Sequence, residues 1–327
     1  MDKNRVIVIL AIGLIAISAS GVVYILQPRA EQGKQALVVS TTTSLFDTGV
    51  LDEIEEVFEA ENSIDLYFIS VGTGLAIQHA KRGDADMILV HAPSQERAFL
   101  EEGYGVCRKI IAYNFFAIVG PEDDVAGIRG LPPTDTLAKM VEKGRAGEAI
   151  WVSRGDDSGT HSKEKGLWAS AGFDYAALRD EDWYRESGTG MGKTLQIAEE
   201  FQAYTLADMG TYHKYSEEGL VALEVLVGEG EELINIYSAI AVSPSTNADA
   251  NFDDAVTFIK FLVSDEGQAI FSDYGVDLYG SSLFLPAVAL LREEADPDIV
   301  GWIEDFAYIE GSECPPEYRA DQQDLYG

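Results

Sequence analysis

Three stretches of this chain pass an apolar strand into a helix through a turn of small polar residues, and that repeated handover limits the fold more than any other feature. The first, "ALVVSTTTSLFDTGVLDEIEEVFEAE" (36–61), closes its strand with five consecutive hydroxyl side chains. Its helix sets Val50, Ile54 and Val57 on one face, with Leu51 and Phe58 beside them and acids opposite. In the second, "IDLYFISVGTGLAIQHAKRGDADMILVHAP" (64–93), a strand over 64–69 meets a Gly-rich turn, a helix that Gly83 stops, and a strand over 87–90. That is a βαβ unit, and it requires a parallel pair of strands. The third, "EAIWVSRGDDSGTHSKEKGLWASAG" (148–172), repeats the pattern with a strand over 150–152 and a helix to about Ala169. The expected class is α/β. In open sheets of that class, ligands bind at the carboxyl ends of the strands, where these turns lie.

What collects at those strand ends is hydrogen-bonding capacity without reactivity. Ser40, Thr41, Thr42, Thr43 and Ser44 include no acid, base or thiol. Capping uses one hydroxyl per helix, so five in succession exceed it. Helix N-termini add unpaired N–H groups and a partial positive charge, and the combination suits an oxyanion. Arg154, at the end of the third strand, can fork two N–H groups onto such a ligand. Its bland alternative is a surface arginine paired with one of 56 acids. Asp156 and Asp157, in the same turn, either recruit a cation or cap the turn and steady Arg154.

Other chemistries find less support. A net charge of -33 argues against a nucleic-acid binder, which needs a basic face to displace counterions. "SGTGMGKT" (187–194) misses the P-loop pattern only at Ser187, but "RDEDWYRE" precedes it instead of a buried apolar strand. It reads better as a Gly-rich turn opening a helix over 191–202. "SRGDDSGTHS" (153–162) offers a hydrolase or phosphotransferase the nucleophile Ser158, and the P-loop-like run offers Lys193, yet no G-x-S-x-G elbow occurs. His79, His91, His161 and His213 lack metal-ligand spacing, and His91, closing a strand, reads as packed or solvated. No enzyme activity, cofactor or metal is expected.

The ends of the chain carry their own signals. Lys3 and Arg5 precede an uncharged run over 6–26, long enough to span a bilayer as a helix and oriented to leave the bulk of the chain outside. It is a signal peptide or an uncleaved anchor, and 27–35 reads as a tether. The expected location is therefore extracytoplasmic, attached through 6–26 or secreted after cleavage. Two apolar runs, 107–121 and 233–244, look like crossings between lobes. They divide the chain into 1–35, a first lobe over 36–113 and 243–286, a second lobe over 114–242, and an acidic extension over 287–327 with a helical pattern near 299–306. Cys107 and Cys314 form one disulfide or remain two thiols.

Taken in order, "STTTSLFDTGVLD", "VGTGLAI", "GDADMILVHAP", "YNFFAIVGP", "SRGDDSGTHSKE", "GLWASAG", "GTGMGKTL" and "AYTLADMGTY" resemble the tungstate-binding proteins of ABC importers over about 37–286. The resemblance implies the type II periplasmic-binding fold, two α/β lobes and a two-strand hinge; the uncharged run over 6–26 places an N-terminal hydrophobic helix ahead of them. It implies Thr42, Thr43, Ser44, Gly72 and Thr73 as ligand residues from the first lobe. From the second it implies Arg154, Ser158, Gly159 and Thr160. Its partners would be tungstate or a similar tetrahedral oxyanion, a permease with its ATPase, and the membrane. Ala207 and Met209 stand where the family more often shows Thr and Arg, and the extension from Ala287 is longer than the family's usual end. Molybdate, sulfate and phosphate remain alternative ligands. Fully deprotonated dianions suit a row of donors best, and the two aspartates keep phosphate in play.

Overall fold

The computed structural model describes residues 35–228 and 230–326. The expected membrane helix and nearly all of the tether lie outside them; among the described residues no helix is long and apolar enough to cross a membrane. The order begins β1 (Gln35–Thr42), α1 (Thr43–Thr48), α2 (Val50–Glu61), β2 (Ile64–Val71), α3 (Thr73–Arg82), β3 (Met87–Val90), α4 (Pro93–Glu101) and β4 (Gly105–Gly120). It continues with α5 (Pro133–Arg145), β5 (Trp151–Ser153), α6 (Gly159–Ser170), α7 (Tyr175–Leu178), β6 (Tyr184–Glu186), α8 (Met191–Glu200), β7 (Thr205–Asp208), α9 (Met209–Glu217) and β8 (Glu224–Val227). Last come β9 (Ile234–Val242), α10 (Phe252–Leu262), α11 (Asp265–Asp273), α12 (Val276–Tyr279), β10 (Leu285–Pro286), α13 (Val288–Glu293) and α14 (Pro297–Ala307).

The long strand β4 organises everything else. Its sequence is almost unbroken apolar, and it is buried along nearly its whole length, as a strand covered on both faces must be. From Gly105 to Phe115 it pairs antiparallel with β9; from Phe116 onward it pairs with β7 and β8. One group of strands, in the order β10-β4-β9-β3-β1-β2, forms the first lobe, with β1 parallel to both β2 and β3. The far end of β4, with β7 and β8, and the parallel pair β5-β6 form the second. β9 pairs with β3 as well as with β4. Residues 234–242, expected in the second lobe, pair with β3 and β4 in the same sheet as β1 and β2. Ladder pairing decides this, and an apolar run cannot report which ladder it will join.

Each lobe has its own core. In the first, Phe58 of α2 meets Phe258 of α10 edge-on at 4.9 Å between ring centres, over Leu37 and Val39 of β1. In the second, Trp151, Trp168 and Tyr204 pack with Leu137 and Met140 of α5. The acidic extension is folded: Ile303 and Ala307 of α14 cover Ile110, Tyr113, Ile234 and Ile236 of the crossing strands. Its Glu313 pairs with Lys109 at 2.6 Å, and the Tyr326 hydroxyl donates to the Arg108 carbonyl at 2.8 Å. Cys107 and Cys314 are both buried free thiols, and burial pushes the Cys107 pKa up to about 12.

Candidate functional site

The strand ends of the two lobes face each other across a closed cleft. Arg154 follows β5, is 1% exposed, and donates from Nη2 to Thr43 Oγ1 of the other lobe at 2.8 Å. The same nitrogen reaches Asp156 Oδ2 at 2.5 Å, while Asp156 Oδ1 accepts the Ser158 N–H. Asp156 thus closes the turn and offsets the buried guanidinium, whose isolated charge would be costly. Three further contacts join the lobes: the Gly74 N–H donates to the Asp157 carbonyl at 3.3 Å, Lys214 Nζ donates to the Asp47 carbonyl at 2.6 Å, and Thr211 Oγ1, 3.0 Å from the Asp208 carboxylate, lies 3.4 Å from the Ser44 carbonyl.

Two glycines permit this approach. A Cβ on Gly72, which caps α3, would lie 3.0 Å from the Asp156 carbonyl. A Cβ on Gly159, the first residue of α6, would lie 2.6 Å from His91 Nε2, closer than real side-chain carbons come. Beneath α6, the buried carboxylate of Glu164 accepts from Trp151 Nε1 (2.7 Å), Trp168 Nε1 (3.1 Å), Ser153 Oγ (2.8 Å) and the Tyr184 hydroxyl. Burial raises its pKa and the four donors oppose that rise. The group fastens α6, β5 and β6 to one another, and so holds the turn over 153–160 in place.

The nine residues implied by the resemblance come together here, with unequal capacity left over. Thr43 reaches Arg154, Gly72 lies against Ser158, and Ser44 and Gly159 both approach Nε2 of His91. Thr73 Oγ1, Thr160 Oγ1, Arg154 Nε and Arg154 Nη1 are buried without a hydrogen-bond partner. Unpartnered buried donors are costly and uncommon, and four on residues of the turns that meet between the lobes fit a ligand with many acceptors. Ser158 instead spends its hydroxyl capping α6, accepting from the His161 N–H at 3.1 Å. Thr42 caps α1, accepting from the Leu45 N–H at 3.4 Å.

The rest of the hydroxyl row faces its own lobe. Ser40 Oγ lies 3.1 Å from His79 Nδ1, Thr41 Oγ1 donates to the Leu89 carbonyl at 3.2 Å, and Ser44 Oγ lies 3.0 Å from His91 Nε2. Of the five hydroxyls, Thr43 alone hydrogen-bonds across the cleft among the described residues. Sequence reasoning did not single out Thr211 or Lys214, and it read His91 as packed or solvated; the structure packs it, with both ring nitrogens engaged. For His91 the signal was its position: it closes β3 as the hydroxyls close β1, and adjacent parallel strands end side by side. No comparable signal marks Thr211 or Lys214.

The two enzymatic readings turn on Ser158 and Lys193. Ser158 Oγ meets the backbone of His161, while the imidazole accepts from the Asp157 N–H through Nδ1. Lys193 is exposed on α8, with Nζ 3.5 Å from Gln196 Oε1. Among the described residues no group of three or more His, Cys, Asp or Glu could hold a metal ion.

Two α/β lobes closed on a cleft of uncharged donors and one arginine define a solute-binding protein, and residues 27–266 match the family model described as the PBP superfamily domain. Relatives narrow this. A Haloferax volcanii protein, provisionally named an ABC transporter anion-binding protein, is 44% identical over 77% of this chain and 72% of its own. The tungstate-binding protein TupA of Peptoclostridium acidaminophilum is 36% identical over 88% of this chain and 99% of its own. The solved structure of the tungstate ABC transporter from Geobacter sulfurreducens is 40% identical, covers 74% of this chain and all of its own, and superposes with a TM-score of 0.66. The chain belongs to the PBP superfamily and, within it, to the TupA family.

Proposed function

We propose that this chain captures tungstate between its lobes and delivers it to an ABC permease and its ATPase. The observation that carries the reading is the pairing of Thr43 with Arg154, 111 residues apart and on opposite lobes, beside four unpartnered buried donors. Thr43, Thr73, Thr160 and the guanidinium supply side-chain donors; Thr42, Ser44, Gly72, Ser158 and Gly159 line the same junction through their backbone. The lobes would be 35–115 with 234–286, and 116–227. Closing one lobe onto an anion held by the other excludes water and strengthens every hydrogen bond inside. The chain works by capture, and the site chemistry calls for no cofactor. Its place is outside the cytoplasm, tethered or released through 6–26.

Calorimetric competition among tungstate, molybdate, sulfate and phosphate tests this directly. Tungstate should bind, and Arg154→Ala should weaken it on the order of a hundredfold by removing two charge-assisted hydrogen bonds. Binding of phosphate with no heat from tungstate would replace the ligand and leave the fold assignment untouched.

A further inference from the structure

His91 stands where the cleft, the first lobe and the crossing strands meet. Its ring stacks on Tyr237 at 4.9 Å and on Phe116 at 6.1 Å, and Gly159 of the other lobe approaches Nε2. Both ring nitrogens are engaged, Nδ1 with Asn235 Oδ1 at 2.7 Å and Nε2 with Ser44 Oγ at 3.0 Å. Which of them carries the proton is fixed by a chain of partners that begins at a backbone carbonyl.

The Leu283 carbonyl can only accept, so the Asn114 atom 3.1 Å from it is the amide nitrogen. That turns Asn114 Oδ1 toward Asn235, which must donate from Nδ2 at 2.8 Å. The second Asn235 Nδ2 hydrogen goes to the Tyr237 hydroxyl, also at 2.8 Å. Asn235 therefore presents Oδ1, an acceptor, to His91, and Nδ1 must hold the proton. Burial, foremost, and the nearby Arg154 and Lys163 disfavour a second proton; Asn235 and Asp156 oppose them, and the pKa falls to about 4. Nε2 is then a bare lone pair, and the hydroxyl that meets it must donate. Ser44 gives its proton to His91. With its single hydrogen committed to Nε2, Ser44 Oγ can only accept from Thr42 Oγ1, 3.4 Å away, whose oxygen takes the Leu45 N–H.

We propose that His91 is a positioning residue for the anion site. As the neutral Nδ1–H tautomer it draws the Ser44 proton inward and the Thr42 proton after it. Thr43 is left as the one side chain of the row that donates to a bound anion. Thr43 Oγ1 accepts from Arg154, which leaves its own hydrogen free for the ligand. The proposal rests on the oxyanion reading of the cleft. It assigns Thr42 and Ser44 to the ligand through their backbone only. It also ties the row to Asn114 and Asn235, register partners at the point where β4 leaves the first lobe.

Two measurements on the full chain test it. Long-range proton–nitrogen NMR of the imidazole, made without ligand at neutral pH, should give the pattern of a neutral ring protonated at Nδ1. A ring protonated at Nε2, or at both nitrogens, overturns the proposal. Tungstate titrations of Thr43→Val, Thr42→Val and Ser44→Ala supply the second arm. Thr43→Val should weaken binding on the order of tenfold, and the other two by less than about threefold. Equal losses at all three positions, with unfolding midpoints preserved, overturn it as well. An Nδ1–H ring in a protein that binds no oxyanion would remove the role in binding while leaving the proton order intact, so the two readings fail separately.

Discussion

An arginine at 1% exposure with two of its nitrogens unpartnered is an expensive arrangement for a folded chain to keep. Asp156 offsets part of the charge, and the remaining N–H groups are the reason a dianion fits better than a neutral solute. His91 carries the opposite cost. Its folded pKa of about 4 lies below the unfolded value near 6.5, so the unfolded chain binds the extra proton first as pH falls. This residue's contribution to stability is complete above pH 6.5 and is lost between 6.5 and 4, on the order of 3 kcal/mol. Urea unfolding at pH 7 and 4.5 should show that loss, and His91→Gln should flatten the difference between the two values. Identical pH slopes in the two proteins would show that His91 is not buried neutral.

At the scale of elements, the turn between β5 and α6 decides whether the cleft can close. Glu164 pins it from below through four donors, and Gly159 lets it meet His91 above. Gly159→Ala places a methyl 2.6 Å from His91 Nε2, against a ring that stacks on Tyr237 and Phe116 and so has little freedom to yield. Each lobe should fold as before while closure is blocked. Small-angle scattering with saturating tungstate should then report the open radius, and affinity should fall at least about tenfold, as expected when two or more cross-lobe hydrogen bonds are lost. A closed, tight-binding Gly159→Ala protein would show that the lobes meet differently.

Over the whole molecule, the acidic extension works as a structural tie across the crossing strands. The Arg108 Nη1 group donates to the Ala307 and Glu313 carbonyls, both at 2.8 Å, while its Nε donates to Glu96. Phe306 of α14 sits over Lys163 of the second lobe at 5.1 Å, so the extension touches both lobes. Ending the chain at Pro286 should cost at least about 3 kcal/mol, because the buried Arg108 guanidinium loses two carbonyl acceptors worth about 1.5–3 kcal/mol each. Chemical denaturation of the shortened protein would check this, and an unchanged midpoint would make the extension dispensable. The charge of -33 does not prevent anion capture, since salt limits surface fields to about 8 Å near 0.15 M and the cleft supplies its own donors.

The sequence by itself determined the α/β class, the strand-to-helix turns and the polar identity of what they carry. Those properties are local: apolar periodicity selects the element, and Gly, Ser and Thr select the turn. The residues from Thr42 to Thr160 could be gathered into one candidate set from their types and a family likeness. Which hydroxyl faces out was beyond reach, because Thr43 and Ser44 are the same chemistry one residue apart. Only the tertiary structure decided that Ser44 meets His91, that Thr43 meets Arg154, and that β9 joins the first lobe's ladder. Each of those outcomes depends on what a distant segment places opposite, and a hydrogen bond takes its direction from its partner.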